Sequence, residues 1–223
     1  MRTPYLKEEK RLWKKGYKRV ACLDEAGRGP LAGPVVAAAV TLKSIRGIGD
    51  KLVQIHELKD SKKLTSAKRE KLYKLITKNP VIEWQTARVS EKVIDKINIK
   101  NAAELAMFRA VQKLKLLPDF LIIDGKFLKN NGLKNIKHRL IIKADEKVFS
   151  CIAASIVAKV TRDRIMQKYH EKYPRYGFNQ HKGYPTEYHK RMLKKYGICK
   201  IHRKTYKPIA KLSNSSIELD FLS

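Results

Sequence analysis

With 223 residues, 43% of them hydrophobic, the chain can bury one substantial core and carry a small appendage. Its 50 Lys and Arg against 21 Asp and Glu give a formal net charge of +29, which favours a polyanionic partner over genome bias or merely solvated lysine faces. That polyanion is nucleic acid or an anionic membrane surface, and apolar runs such as residues 35–40 are far too short to cross a bilayer.

Residues 7–15 are charged where a secretory signal would be apolar. Cys22, Cys151 and Cys199 are odd in number and lack any Cys-x-x-Cys spacing, which argues against a zinc ribbon and for a reducing cytoplasm. Cys22 and Cys151 lie in apolar surroundings, as buried thiols do. In chain order, Thr3-Pro4 reads as the cap and first residue of a basic helix running to about Lys15. Residues 19–24 and 34–42 read as strands joined through Gly-Pro punctuation, a hairpin. Residues 44–63 are a loop, and residues 65–77 a helix with Leu64, Leu72, Leu75 and Ile76 on its apolar side. A strand over 81–89, a helix over 99–116, a buried strand over 120–124 and a short strand over 140–142 follow. A long helix over 148–169, small and apolar in its first half, and a helix over 185–196 complete the pattern. Strands first, then alternating helix and strand, predict an α/β fold with a mixed sheet.

The carboxylates carry the first functional signal. Asp24, Asp124 and Asp145 each follow an apolar strand-like run, and Glu25 stands beside the first. Ligands of α/β sheets gather at the carboxyl ends of strands, so the four carboxylates are candidates for one cluster. Hard oxygen donors suit Mg²⁺ or Mn²⁺. Two such ions would activate water and stabilise the leaving oxygen of a phosphodiester. Each aspartate also has an ordinary role open to it: Asp124-Gly125 as a turn, Asp145 as a helix cap.

Gly27-Arg28-Gly29, with Gly33 beyond, misses the dinucleotide fingerprint, and Pro30 and Pro34 forbid the helix that motif needs. It reads either as a hairpin turn or as a backbone that a ribose can approach closely. Lys59-Asp60-Ser61-Lys62-Lys63 offers donors for phosphate, or is a solvated charge run. Tyr184, within His181-Lys182-Gly183-Tyr184-Pro185-Thr186 and near His189, is placed to stack on a sugar or base. The two histidines make a poor zinc site, and Asp163 reads as an ion-pairing residue on a helix surface.

Together these segments resemble bacterial ribonuclease HII. The opening signature is Asp24-Glu25-Ala26-Gly27-Arg28-Gly29-Pro30-Leu31-Ala32-Gly33-Pro34. Asp60-Ser61-Lys62-Lys63-Leu64, Ile123-Asp124-Gly125 and Lys143-Ala144-Asp145 follow in the family's order. Ala153-Ala154-Ser155-Ile156-Val157-Ala158-Lys159-Val160 and Gly183-Tyr184-Pro185-Thr186 with His189 complete the set. The sister type, ribonuclease HIII, usually carries Gly-Thr-Gly where this chain has Arg28. Ala144 stands where many relatives have glycine, and Glu146 adds a second carboxylate beside Asp145.

The resemblance implies a ribonuclease H-like mixed sheet flanked by helices, with a helical C-terminal extension. It divides the chain into a basic helix (1–18), a catalytic domain (19–175), an extension completing the substrate groove (176–212) and a flexible tail (213–223). It implies an endoribonuclease that cuts RNA in RNA–DNA hybrids; the chain is separately expected to be a monomer. It also implies incision 5′ of single ribonucleotides in duplex DNA, leaving 3′-hydroxyl and 5′-phosphate ends. Asp24, Glu25, Asp124 and Asp145 match the family's catalytic metal ligands for two Mn²⁺ or Mg²⁺ ions; Gly27, Arg28, Gly29, Lys62 and Tyr184 match its substrate contacts. Glu218-Leu219-Asp220-Phe221-Leu222 loosely resembles peptides that bind the bacterial sliding clamp, with a frayed end as the plainer reading. A non-catalytic nucleic-acid-binding protein and a junction resolvase on the same fold are the competing readings; metal-dependent cutting and the need for a ribonucleotide separate them.

Overall fold

The computed structural model describes residues 6–43, 64–125 and 128–212. Within them the elements run α1 (Lys7–Lys14), β1 (Val20–Ala26), β2 (Val35–Leu42), α2 (Ser66–Thr77), β3 (Ile82–Val89) and α3 (Glu91–Gln112). There follow β4 (Phe120–Asp124), α4 (Asn131–Lys134), β5 (His138–Ile141), α5 (Ala144–Lys147), α6 (Phe149–Lys172), a 3₁₀ turn (Pro174–Tyr176), α7 (Phe178–His181) and α8 (Glu187–Tyr196). The strands form one mixed sheet in the order β3-β2-β1-β4-β5. β1, β2 and β3 pair antiparallel as a meander, while β4 lies parallel to β1 and β5 parallel to β4.

Period-two alternation sends the strand residues to two helical layers. Ala21, Leu23, Ala37, Ala39, Leu121 and Ile123 pack on α3, whose Ala102, Ala103, Ala106 and Ala110 let the helix lie close. On the opposite face Ala38, Val40 and Leu42 meet α2 and α6, through Leu72, Ile76, Ile152 and Ala153. Val20, Cys22 and Ile122 continue that face with Ala144, Val148 and Cys151, so both central cysteines are buried thiols. Thr65 caps α2, its hydroxyl accepting from the Lys68 N–H at 3.3 Å. Leu6 occupies the cap position of α1. Thr3-Pro4, the 44–63 loop with Lys62, and the 213–223 tail lie outside the described residues.

Several boundaries differ from the sequence reading. α3 begins at Glu91, eight residues early, but its backbone breaks at Asn98 (φ 63°, ψ 165°), next to the predicted start. The Asn98 carboxamide oxygen accepts from the N–H groups of Lys100 and Asn101 at 3.0 and 3.1 Å, opening a second helical segment. β5 lies two residues earlier at its start than expected, leaving Ile142 outside the strand and 53% exposed. The short helices α4, α5 and α7 carried too little periodicity to be seen in the sequence. Among the described residues no helix is long and apolar enough to cross a membrane.

Candidate active site

The β1–β4 pairing builds the carboxylate site. Its register sets Leu23 against Ile123, so Asp24 and Asp124 follow side by side at the carboxyl ends of adjacent parallel strands. By alternation both belong to the α6 face, whereas Glu25 belongs to the α3 face. Asp145 is not at a strand end, as the sequence suggested, nor does it cap the long helix. It lies in the first turn of α5, after Lys143 takes a left-handed conformation (φ 58°, ψ 45°), and Val148 caps α6 instead. One bond draws α5 in: the Ala144 N–H donates to Asp124 Oδ1 at 3.1 Å. Asp145 is thereby buried beside the strand ends, 3% exposed.

Asp24, Glu25, Asp124 and Asp145 together line a cavity of about 640 Å³, with Arg69 from α2, Ser155 and Lys159 from α6, Gly27-Arg28-Gly29 and Tyr184. Burial raises the Asp24 carboxyl well above its ordinary value, and the charges of Glu25, Asp124 and Asp145 add to the rise; the Glu25 N–H bonded to Asp24 Oδ1 at 2.8 Å works against it. Burial also raises Glu25, against the pull of Arg28, whose Nη1 donates to Glu25 Oε1 at 3.0 Å. Among the described residues no three His, Cys, Asp or Glu side chains are drawn tightly enough to hold an ion as they stand. Protein donors hold one oxygen each of Asp24, Glu25 and Asp124. The donor set is all carboxylate oxygen in a buried, mutually repelling group, which fits hard divalent cations and not zinc.

The glycine loop lines the same cavity. Gly27 has φ +100°, and a Cβ there would collide with the Arg162 side chain and stand 2.8 Å from the Pro34 carbonyl. Arg28 is half exposed, and a Cβ on Gly29 would stand 3.6 Å from Tyr184 Cε1, so the turn and the ring are neighbours. The Tyr184 ring is 41% exposed, with Lys159 Nζ 5.9 Å from its centre. Lys159 also pairs with Asp163 at 2.7 Å, the ion pair expected of Asp163. A second cavity of about 500 Å³ adjoins the first, lined by Glu25, Arg28, Asn98, Asn101, Asp124 and Lys129 among others.

Sequence reasoning missed Arg69 and Lys159, which line the first cavity, and Asn98, which lines the second. It also missed His202. That ring joins His181 and His189 in a buried stack, with the His181 and His189 centres 4.4 Å apart. The bonds fix the tautomers. Cys199 N–H donates to His202 Nδ1 at 2.8 Å, so His202 donates from Nε2 to His189 Nε2 at 3.1 Å. His189 then donates from Nδ1 to the Tyr184 carbonyl at 3.0 Å. Burial depresses both His189 and His202 to about 4, keeping the relay neutral.

Residues 21–209 match the family described as Ribonuclease HII. The Ribonuclease HII of Caldicellulosiruptor bescii is 48% identical over 199 residues, 89% of this chain and 91% of the relative. The crystal structure of ribonuclease H2 from Pyrococcus horikoshii superposes with a TM-score of 0.72 at 30% identity, over 88% of this chain and 98% of that one. A chain of the PCNA:RNase HII complex from Archaeoglobus fulgidus superposes with a TM-score of 0.69 at 27% identity, over 84% and 95% of the two chains.

Proposed function

This chain belongs to the ribonuclease HII family, and from that premise we propose that it reads a single ribonucleotide in duplex DNA and incises on its 5′ side. It is a metal-dependent endoribonuclease acting on RNA–DNA hybrids. The finer reading is supported by one observation: four carboxylates share a cavity with the Gly27-Arg28-Gly29 turn and the Tyr184 ring, so that a hydrolytic centre adjoins a surface suited to a sugar.

Asp24, Glu25, Asp124 and Asp145 would hold two Mg²⁺ or Mn²⁺ ions. Bound there, such ions supply Lewis acidity, polarising the phosphate and lowering the pKa of water. The chain's own part is to hold Asp24 and Asp124 in register, to neutralise Glu25 through Arg28, and to offer Tyr184 as a stacking surface. Arg69 and Lys159 add positive charge along the cavity for phosphate. Lys62 is proposed as a further phosphate contact on its motif alone. No nucleophilic side chain is required, and the products would be 3′-hydroxyl and 5′-phosphate ends.

We read the chain as a cytoplasmic monomer with residues 176–212 completing the substrate groove. The Archaeoglobus fulgidus complex pairs its ribonuclease HII with PCNA, which supports a clamp contact through the 213–223 tail. A clamp pull-down with the full chain and with one ending at Ser216 tests it, equal capture refuting it.

The activity test uses a labelled duplex with one ribonucleotide beside an all-DNA control, with Mn²⁺, Mg²⁺ or EDTA. One metal-dependent cut 5′ of the ribonucleotide, absent from the control, is expected. Cutting of both duplexes would refute ribose reading, and binding without cutting would favour a non-catalytic role. Arg28→Ala and Tyr184→Ala should impair cutting at the lone ribonucleotide more than binding to plain duplex; an equal loss on both would make them generic contacts.

A further inference from the structure

Two arginines are fully buried beneath the glycine loop, and neither meets an acid. Arg162 and Arg203 are each 0% exposed. Among the described residues neither has a carboxylate within ion-pairing distance; their acceptors are neutral. Arg162, from α6, donates to the carbonyls of Pro34 at 3.0 Å, Ala32 at 3.1 Å and Lys182 at 3.0 Å. Arg203 donates to the carbonyls of Gly27 at 2.6 Å, Arg28 at 3.0 Å and Gly33 at 2.9 and 2.8 Å. The Tyr206 hydroxyl accepts from Arg203 Nη1 at 2.9 Å and donates to the Arg28 carbonyl at 2.8 Å.

Burying a guanidinium with no carboxylate bonded to it is costly, and a second one nearby makes it worse; the more distant charge of buried Glu91 favours both, with Asp163 acting on Arg162 and Asp95 on Arg203. Burial and the charge of Arg203 lower Arg162 to about 10, so it stays protonated at neutral pH. A hydrophobic core would fill such space at less cost. What a guanidinium provides instead is a rigid, planar fork of five donors that can fix several carbonyls at once. The carbonyls it fixes here are not scattered. Gly27 and Arg28 border the cavity, and Lys182 stands two residues before Tyr184. A backbone bond from Leu31 N–H to the Gly183 carbonyl at 2.8 Å joins the same two segments.

We infer that Arg162 and Arg203 are positioning residues for ribonucleotide selection, clamping the Gly27-Arg28-Gly29 turn and the Tyr184 turn into one rigid reading surface. Arg203 reaches the turn from the far end of the chain, so the C-terminal segment shapes that surface from below. The inference rests on the proposed role of Gly27-Arg28-Gly29 and Tyr184 in reading the ribose.

The test compares kcat/KM on a duplex with one ribonucleotide against an all-RNA strand in a hybrid of the same sequence, below the Tm of every variant. Arg203→Lys keeps the charge but loses the fork. Tyr206→Phe keeps the ring and removes only the hydroxyl, so it decides the matter even if Arg203→Lys fails to fold. Tyr176→Phe is the control: its hydroxyl bonds the carbonyls of Tyr196 and Gly197 in the same C-terminal region, away from the loop. A misplaced reading surface should lower the lone-ribonucleotide to hybrid ratio about tenfold in Arg203→Lys and severalfold in Tyr206→Phe, with the ratio of Tyr176→Phe unchanged. Tyr206→Phe with the wild-type ratio, or with a change no larger than that of Tyr176→Phe, overturns the inference alone. A wild-type chain that does not cut at a lone ribonucleotide overturns the ribose reading itself, and the inference with it.

Discussion

Replacing Asp24 by Asn should abolish cutting and stabilise the metal-free protein in a single step. Asn has nearly the same volume and keeps the oxygen that accepts the Glu25 N–H at 2.8 Å. It removes a buried charge that Glu25, Asp124 and Asp145 all oppose. One like-charge pair at about 4 Å costs about 4 kcal/mol at an effective dielectric of 20. Protonation of Asp24, the Arg28 charge on Glu25 and the Glu25 N–H relieve part of that, leaving a gain of about 1–2 kcal/mol. At about 2–4 °C per kcal/mol for a chain of this size, Asp24→Asn should melt about 2–8 °C above wild type in EDTA. An ion that binds only the native state at 100 times its Kd adds about 2.7 kcal/mol, so saturating Mg²⁺ or Mn²⁺ should close the gap for wild type. Single-turnover cutting should fall about a thousandfold, while hybrid affinity changes by less than about threefold. Differential scanning fluorimetry with and without EDTA, beside a gel assay, reads both. A variant that melts below wild type in EDTA, or cuts normally, would refute the repelling carboxylate cluster and the metal assignment respectively.

The neutral histidine relay gives a pH dependence of definite sign. His189 and His202 titrate near 4 when folded and near their ordinary 6.5 when unfolded, so their contribution is complete above 6.5 and is lost as pH falls toward 4. Each accounts for about 3 kcal/mol at most. Urea midpoints at pH 7.5 and 4.5 in the Asp24→Asn background, where the main opposing carboxylate is gone, should show the loss; equal midpoints would contradict it. Gly27→Ala should cost about 2–4 kcal/mol, because a strained φ of +100° adds to collision with Arg162. Gly16→Ala, at φ +91° with nothing within 4 Å, should cost about 1 kcal/mol, and equal losses would remove the steric part. Hybrid affinity should fall with salt at a log–log slope of about −3 or steeper, from Arg28, Arg69 and Lys159 alone; a flat response would detach the +29 charge from nucleic acid.

The apolar runs ending in Asp24 and Asp124, the hairpin and the long helices were legible because strand and helix periods are written in consecutive residues. So were the chemical types of the candidate ligands. Asp145 was found by its motif but set in the wrong local structure, since the four residues of α5 are too few to show a helical period. What brings Asp24 beside Asp124 is a parallel register across 100 residues of chain, which no local pattern encodes. The buried Arg162 and Arg203 were invisible among 50 Lys and Arg, because burial depends on where a side chain ends up and not on its type. Local patterning thus carries the order of strands and helices and the carboxylates available for chemistry. Which of them share a cavity, and which guanidiniums hold its wall, is fixed by packing and hydrogen bonds between segments far apart along the chain.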